Sequence, residues 1–122
     1  MRATRVLVVD DEPLVASAAR RLLARAHEVQ VAHSGQTALA LLETSPFDAV
    51  LCDLMMPQMT GMELHARVKA RDPALARRMI FMTGGAFTEA AARFVADSRA
   101  PCFDKPFDPA RLREAVQRAA AA

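Results

Sequence analysis

The chain has few of the features that mark several protein classes. It contains only two cysteines, Cys52 and Cys102, which lie in apolar stretches without metal-ligand spacing. This pattern argues against a disulfide scaffold or a zinc site and indicates reduced core thiols of a cytosolic protein. No apolar run approaches the length of a membrane span, and no signal peptide opens the chain. The net charge of +2 is small and the basic residues are scattered, which argues against binding to nucleic acid.

The features that are present indicate one ordinary domain. The 122 residues are 52% apolar, enough for a hydrophobic core without support from a metal or a disulfide. There is no internal repeat, no low-complexity linker and no break in composition. We therefore predict a single domain over residues 1–122, located in the cytoplasm and making no contact with a membrane.

Five short apolar runs suit β-strands. Residues 6–9, 49–52 and 79–82 are continuous apolar runs, as in strands buried on both faces of a sheet. Residues 29–31 alternate between apolar and polar, which predicts a short, half-exposed strand. Residues 101–103 are flanked by a proline and an acid, as an edge strand would be.

Helical patterns separate these strands. Apolar residues at helical spacing predict helices over residues 13–26, 35–45, 61–71, 88–98 and from 109 onward. Thr60 and Glu63 have the spacing of a capping box at the start of the third helix. Strands and helices thus alternate with short connections. This alternation predicts an α/β fold with a doubly wound parallel sheet and helices on both faces.

Four of the five strands run into a polar residue at the carboxyl end. Asp10 and Asp11 follow the first strand, Asp53 the third, Thr83 the fourth and Lys105 the fifth, whereas the second strand contributes none. Ligands bind at this edge of open parallel sheets, near the point where the strand order reverses. Taken alone, Asp10 and Asp11 also suit a helix cap, since Asp is a preferred N-cap residue. The shared edge makes one site the better explanation.

The residue types at this edge suit phosphoryl transfer. Carboxylates that converge with loop carbonyls form a hard-oxygen site, which is suited to Mg²⁺ rather than zinc. Asp53 stands alone on a central strand and is the natural nucleophile, whereas the Asp10–Asp11 pair is better suited to holding metal. Lys105 supplies a mobile positive charge for a phosphate oxygen, and Thr83 offers one hydroxyl donor.

Four motifs, in this order, resemble those of the receiver domains of two-component signalling. They are Val8-Val9-Asp10-Asp11-Glu12-Pro13, Asp53-Leu54-Met55-Met56-Pro57 with Gly61, Met82-Thr83-Gly84 and Asp104-Lys105-Pro106-Phe107. Each motif is weak alone, but all four in register over essentially the whole chain are highly specific. The resemblance implies a flavodoxin-like (βα)5 fold, with a five-stranded parallel sheet in the order 2-1-3-4-5.

The resemblance also implies roles for the matching acidic residues. Asp53 would be the phosphoacceptor. Asp11, Asp53 and the main-chain carbonyl of Met55 would hold Mg²⁺, while Asp10 would assist through water. Thr83 and Lys105 would contact the phosphoryl group.

Further implications concern the lysine loop and the partners. The Lys105–Pro106 peptide bond is predicted to be cis. The phosphoryl donor would be a phosphohistidine on a sensor histidine kinase or a histidine phosphotransfer domain. The chain would catalyse only its own phosphorylation and dephosphorylation, so we do not predict an enzyme in the usual sense. Output would be regulation of a partner or relay of the phosphate, and a homodimer is left open.

One position departs from the family pattern. The family usually places Tyr or Phe three residues before the lysine, and this sequence has Cys102 there. Phe103 comes one position later and, by strand alternation, is predicted to lie on the opposite face. The usual coupling between Thr83 and an aromatic ring is therefore in question. The stretches 84–87 and 101–107 are similar to those of receivers at the C-terminal end of hybrid sensor kinases.

Two alternatives remain open from the sequence. The first is a receiver-like interaction module that works without phosphorylation, which the Cys102 departure motivates. The second is an Asp-nucleophile phosphatase of another family, although Asp53-Leu54-Met55 lacks the usual second acid. We predict no ligand role for the three histidines, which are expected on helix or loop surfaces: His27, His33 and His65. Glu12 is predicted to be a helix-start acid, with a metal role as the less favoured alternative.

Overall fold

Five parallel strands form one sheet in the computed structural model, which describes residues 3–84 and 88–122. The strands are β1 (Arg5–Val9), β2 (Glu28–Ala32), β3 (Ala49–Asp53), β4 (Met79–Thr83) and β5 (Cys102–Asp104). Their order in the sheet is β2-β1-β3-β4-β5, and every neighbouring pair is parallel. The predicted fold class and strand order are therefore confirmed.

Six helices are present in the described ranges. They are α1 (Pro13–Leu23), α2 (Gly35–Thr44), α3 (Gly61–Arg71), α4 (Pro73–Ala76), α5 (Glu89–Ser98) and α6 (Pro109–Ala121). None of these helices is long and apolar enough to cross a membrane. The stretch 84–87 noted in the sequence extends past Gly84 into residues 85–87, which lie outside the described part of the chain.

The two faces of the sheet bury separate hydrophobic layers. Because side chains alternate along a strand, β1 sends Leu7 and Val9 to one face and Val6 and Val8 to the other. The first layer packs against α2 and α3, and the second against α1 and α6. All five residues of β3 and of β4 are buried, as the continuous apolar runs predict.

Helix ends follow the capping signals in the sequence. Thr60 accepts a hydrogen bond from the Glu63 N–H, and the Glu63 side chain accepts one from the Thr60 N–H. This capping box starts α3 at Gly61, as predicted. Asp108 caps α6 by accepting hydrogen bonds from the N–H groups of Ala110 and Arg111, with Pro109 as the first residue of the helix.

Two details of the predicted helices are wrong. Helix α1 ends at Leu23 instead of continuing to residue 26, because the Leu23 carbonyl accepts the N–H groups of Ala26 and His27 in a turn toward β2. Helix α4 was not predicted. Asp72 closes α3 through its backbone N–H and caps α4 through its side chain, so one residue separates the two helices.

Candidate functional site

The predicted site residues meet at the carboxyl edge of the sheet. The Lys105 ammonium nitrogen lies 2.9 Å from Oδ2 of Asp10 and 3.2 Å from Oδ2 of Asp53. It also lies 3.1 Å from Oε1 of Glu12. Residues from β1, β3 and the end of β5 therefore share one hollow, and a lysine amine stands between the acids. This arrangement reduces the repulsion expected among buried carboxylates.

Backbone contacts fix the two buried carboxylates. Asp10 extends β1, since its N–H donates to the Ala32 carbonyl, and its Oδ1 accepts the Glu12 N–H at 2.9 Å. Asp53 closes β3, and its Oδ1 accepts the Met55 N–H at 3.2 Å. Asp10 is 0% exposed and Asp53 only 3% exposed. Both carboxylates thus keep one oxygen for the backbone and direct the other to the lysine amine.

Four acids can converge on one cation. Asp10, Asp11, Glu12 and Asp53 each place a carboxylate oxygen within 4.8 Å of the others. An all-oxygen donor set of this kind suits Mg²⁺ rather than a thiophilic metal. Asp11 and Glu12 are not buried, so the mouth of the hollow lies on their side. The residues therefore fit the predicted magnesium site, and Glu12 lies in the same set, which was the less favoured of its two predicted roles.

Burial and charge shift the ionisation of the central pair. Burial raises the pKa of Asp53 to about 6, and the charge of Asp10 adds to this rise. Lys105 and the Met55 N–H act in the opposite direction without cancelling it. Burial lowers the pKa of Lys105, but its hydrogen bonds to Asp10 and Glu12, with the charge of Asp53, outweigh burial and raise the pKa overall. The lysine is therefore charged wherever the acids are ionised.

The fourth strand contributes a hydroxyl that is not already engaged. Thr83 ends β4 and is buried, and its Oγ1 has no hydrogen-bond partner among the residues that the structure describes. Its carbonyl accepts the Lys105 N–H at 2.8 Å, which ties the lysine loop to β4. A Cβ at Gly84 would lie 3.1 Å from Cδ of Lys105. The lysine side chain therefore passes close to the backbone after Thr83.

The loop after Asp53 is held tightly against α3. The Gly61 N–H donates to the Leu54 carbonyl at 2.9 Å. A Cβ at Gly61 would lie 2.5 Å from the Asp53 carbonyl oxygen and 2.9 Å from Cα of Leu54, and neither backbone atom can move aside cheaply. Glycine at this position lets α3 begin directly against the end of β3, which fixes the backbone that carries Asp53.

Sequence reasoning missed two contacts of the site. Glu12 follows the acid pair, and only the fold shows that its side chain turns toward Lys105. The second strand was predicted to contribute nothing, yet His33, directly after it, donates from Nδ1 to the Asp10 carbonyl at 3.1 Å. A polar residue at the end of β2 was the available signal for His33.

Strand β5 confirms the departure seen in the sequence. Cys102 pairs in register with Phe81 and packs with the layer that contains α3. Phe103 packs with the opposite layer, beside α6. The aromatic ring of β5 is therefore on the face away from Phe81, as alternation predicted. Both thiols are free, and burial raises the pKa of Cys52 and of Cys102.

An aromatic cluster occupies the layer beside Cys102. The ring of Phe94 lies edge-on to Phe81 at 5.2 Å between centroids, and His65 contacts both rings at 5.1 and 5.9 Å. His65 is half-buried, which corrects the prediction of a surface position. Burial and the charge of Lys69 lower the pKa of His65, although a hydrogen bond with the Ala76 backbone opposes them. His27 is also half-buried, and its Nδ1 contacts the Thr4 hydroxyl.

Comparison with known protein families gives one match that spans nearly the whole chain. The sequence model described as "Response regulator receiver domain" matches residues 6–117. Transcriptional regulatory protein ZraR of Salmonella typhimurium is 33% identical over 117 residues, which cover 95% of this chain and 26% of that protein. Virulence sensor protein BvgS of Bordetella bronchiseptica is 36% identical over 123 residues, which cover 96% of this chain and 10% of that protein. The chain therefore spans about a quarter or less of the length of these relatives.

Solved structures share the same architecture. A response regulator receiver domain protein from Methanospirillum hungatei superposes with a TM-score of 0.87 at 26% identity, covering 98% of this chain and 95% of that one. The signal receiver domain of an HD domain-containing protein from Pseudomonas fluorescens superposes with a TM-score of 0.86 at 26% identity, covering 97% and 94%. The chain thus has the fold of these receiver structures.

Proposed function

Because the chain belongs to the response regulator receiver domain family, we propose that it is a phospho-accepting signalling domain whose phosphoacceptor is Asp53. The donor is a phosphohistidine on a sensor histidine kinase or a histidine phosphotransfer domain. The domain modifies only itself and is not an enzyme in the usual sense. A cytoplasmic location, where such donors present their phosphohistidine, is part of this proposal.

One observation carries the proposal. Asp53 Oδ2 lies 3.2 Å from the Lys105 amine, which also contacts the buried Asp10 at 2.9 Å. A nucleophilic carboxylate, a partner acid and a cation thus share one hollow. Phosphoryl transfer depends mainly on positioning and on neutralising charge, and this set supplies both.

The proposed transfer replaces one bond to phosphorus with another. An oxygen of the ionised Asp53 carboxylate forms a bond to phosphorus while the bond between phosphorus and the donor histidine nitrogen breaks. The electron pair of the broken bond stays on the ring nitrogen, and the histidine leaves as neutral imidazole because its other ring nitrogen carries a proton in the donor. The product is an aspartyl-phosphate, and Lys105 moves from the carboxylate oxygen to a phosphoryl oxygen.

A divalent cation has its ligands in the same residues. Asp10, Asp11, Asp53 and the main-chain carbonyl of Met55 would hold Mg²⁺, and Glu12 lies close enough to join them. When bound, Mg²⁺ supplies positive charge that screens the acids and the incoming phosphoryl oxygens. Thr83 then donates its free hydroxyl to the phosphoryl group, which gives this buried oxygen the partner it lacks within the described residues.

Output would follow from the contacts that Thr83 and Lys105 gain. Both residues are tied to the end of β4, so a phosphoryl group that draws them inward also displaces the backbone at Thr83. Leu14 on α1 is 86% exposed and lies two residues after Glu12, which offers an apolar contact for the donor domain. Regulation of a partner protein, relay of the phosphate and a homodimer are all compatible with this scheme.

The position of Cys102 favours a second candidate. Without an aromatic ring on that face of β5, movement of Thr83 has no ring to pull inward. A receiver-like interaction module that binds its partner regardless of phosphorylation is therefore the alternative function.

The decisive experiment uses acetyl phosphate as a small donor. Wild type, Asp53→Ala and the control Asp104→Ala are incubated with acetyl phosphate and Mg²⁺, and intact mass is measured. We expect one Mg²⁺-dependent phosphate adduct on wild type and on Asp104→Ala, whose acid is exposed and outside the cluster. No adduct on Asp53→Ala is expected. A missing wild-type adduct would favour the interaction module, and steady release of phosphate from many monoesters would indicate a phosphatase.

A further inference from the structure

A groove between α3 and α5 takes no part in the proposed phosphorylation. It has a volume of about 770 Å³ and lies between α3, the segment around α4, and α5 with the residues that lead into β5. None of the acids of the site, nor Lys105 or Thr83, lines it. Apolar and basic side chains line this groove together.

The floor of the groove is apolar and already formed. Met62, His65 and Phe94 line it, and each of them is half-buried. The ring of Phe94 is held edge-on against His65 and Phe81 at centroid distances of 5.1 and 5.2 Å. Because these rings are fixed by one another, a ligand would not have to order the floor on binding.

Three cations surround this floor. Lys69, Arg77 and Arg99 line the groove, are exposed, and make no ion pair or side-chain hydrogen bond within residues 3–84 and 88–122. Asp97 is the one acid among the lining residues. Three other basic side chains on helices each pair with an acid: Arg71 with Glu43, Arg93 with Glu89 and Arg118 with Glu114.

The backbone at Arg99 adds an independent observation. Arg99 follows α5 in the left-handed region, at φ 57° and ψ 17°. Glycine is the usual residue at this C-terminal position, because a side chain there is strained. The chain therefore carries an arginine where glycine would be easier to accommodate. A role of the Arg99 guanidinium in binding a ligand at the groove would explain why arginine stands at this position.

We propose that this groove is a docking site for an acidic peptide segment of a partner protein. One aliphatic or aromatic side chain of the segment packs against Met62 and Phe94. Its carboxylates pair with Lys69, Arg77 and Arg99. Charge complementarity supports this occupant, because three unpaired cations surround an apolar floor that is already formed.

Other occupants fit the groove less well. Its walls are mostly exposed side chains, so it is an open trough rather than an enclosed pocket for a small molecule. Nucleic acid would use the cations, but its bases would gain little from rings that are edge-on to one another. A peptide can place an apolar side chain on the floor and carboxylates on the rim at once.

The test is a selection from a random peptide library displayed on phage, with the unphosphorylated protein as bait. The variant Lys69→Ser, Arg77→Ser, Arg99→Gly removes the rim while relaxing the strained backbone. A matched control, Arg21→Ser, Arg25→Ser, Arg113→Ser, removes the same charge from the groove between α1 and α6. Enriched peptides are synthesised and their affinities measured by fluorescence anisotropy. A single-stranded oligonucleotide serves as the comparison ligand.

We expect the enriched peptides to be rich in Asp and Glu around one or two apolar residues. Each rim substitution should weaken binding about two- to fivefold, and the triple variant at least about tenfold, as exposed ion pairs allow. The control should bind like wild type, and 0.5 M salt should weaken wild-type binding. Amide shifts on titration should map to α3 and α5.

Several results would overturn the docking site. They are the absence of any acidic bias, equal binding by the rim variant, or tighter binding of the oligonucleotide at this groove. The acetyl phosphate adduct of the rim variant should equal that of wild type. Peptide binding and adduct formation therefore distinguish a failure of docking from a failure of phosphorylation at Asp53.

Discussion

Strands β3 and β5 end at the same edge of the sheet but are held there in different ways. All five residues of β3 are buried between β1 and β4, and Asp53 is part of the strand. The three residues of β5 are half-buried or exposed, with β4 as their single neighbour in the sheet. Lys105 follows this edge strand and is fixed by its ion pairs as well as by one backbone bond to Thr83.

This difference separates the two tasks of the domain. The central strands bury Asp53, the proposed phosphoacceptor, and the neighbouring Asp10. The edge strand supplies the cation through a long side chain, and it carries Cys102 where the family usually has an aromatic ring. The proposed chemistry therefore depends on buried central strands, whereas the departure from the family pattern lies on the edge strand β5.

The largest expected effect comes from removing the lysine. In Lys105→Ala, Asp10 and Asp53 are left buried without their cation. We expect the free energy of unfolding in urea without Mg²⁺ to fall by about 4 kcal/mol. Lys69→Ala, which removes an unpaired exposed lysine, should change it by less than about 0.5 kcal/mol. A loss below about 1 kcal/mol in Lys105→Ala would mean that the ion pairs do not hold the edge.

The next effect is a pH dependence. The pKa of Asp53 is raised from 3.8 to about 6 in the folded protein, so folding disfavours its ionised form. The penalty is absent below pH 3.8, grows between the two values and is complete above about 6. Asp53→Asn lacks this penalty. Its free energy of unfolding should exceed that of wild type by up to about 3 kcal/mol at pH 7 without Mg²⁺, but not at pH 4. Equal pH profiles in urea would contradict this account.

A smaller effect is expected at Thr83. Its hydroxyl is buried without a partner in the described structure, so Thr83→Val should leave the free energy of unfolding within about 1 kcal/mol of wild type. Loss of a hydrogen bond to the phosphoryl group should instead slow phosphorylation by acetyl phosphate about tenfold, or roughly 1.4 kcal/mol. Thr83→Ser keeps the hydroxyl and serves as the control. Equal rates for all three proteins would remove Thr83 from the site.

The two cysteines give the smallest and most direct comparison of the strands. Cys52 on β3 is 0% exposed, and Cys52→Ala should cost about 1 kcal/mol through lost packing. Cys102 on β5 is half-buried, and Cys102→Ala should cost less than about 0.5 kcal/mol. Thermal unfolding of the two variants measures the difference. A larger cost at Cys102 would show that the edge strand is packed as tightly as the centre.

The sequence alone predicts most of the fold because its signals are periodic. Continuous apolar runs identify β1, β3 and β4, and alternation along β5 places Cys102 and Phe103 on opposite faces, as found. The strand order came from the resemblance to receivers, since periodicity does not encode which strands are neighbours. Helix α4 escaped prediction because four residues are too few to show a helical period.

Convergence of the site follows from the topology, whereas its contacts depend on side-chain reach. Asp10, Asp53 and Lys105 were expected to meet because each follows a parallel strand at the same edge. The contact between Glu12 and Lys105 joins residues 93 positions apart in the sequence, and no local pattern indicates it. His33 is a polar residue directly after β2, but its partner is the main-chain carbonyl of Asp10, and the sequence does not indicate a backbone partner.

Reductive trapping tests the central claim most directly. After reaction with acetyl phosphate and Mg²⁺, borohydride converts an aspartyl-phosphate to homoserine, which peptide mass spectrometry locates. We predict homoserine at position 53 alone, and none without Mg²⁺. Homoserine at position 10 or 11, or phosphate that resists borohydride, would show that Asp53 is not the phosphoacceptor.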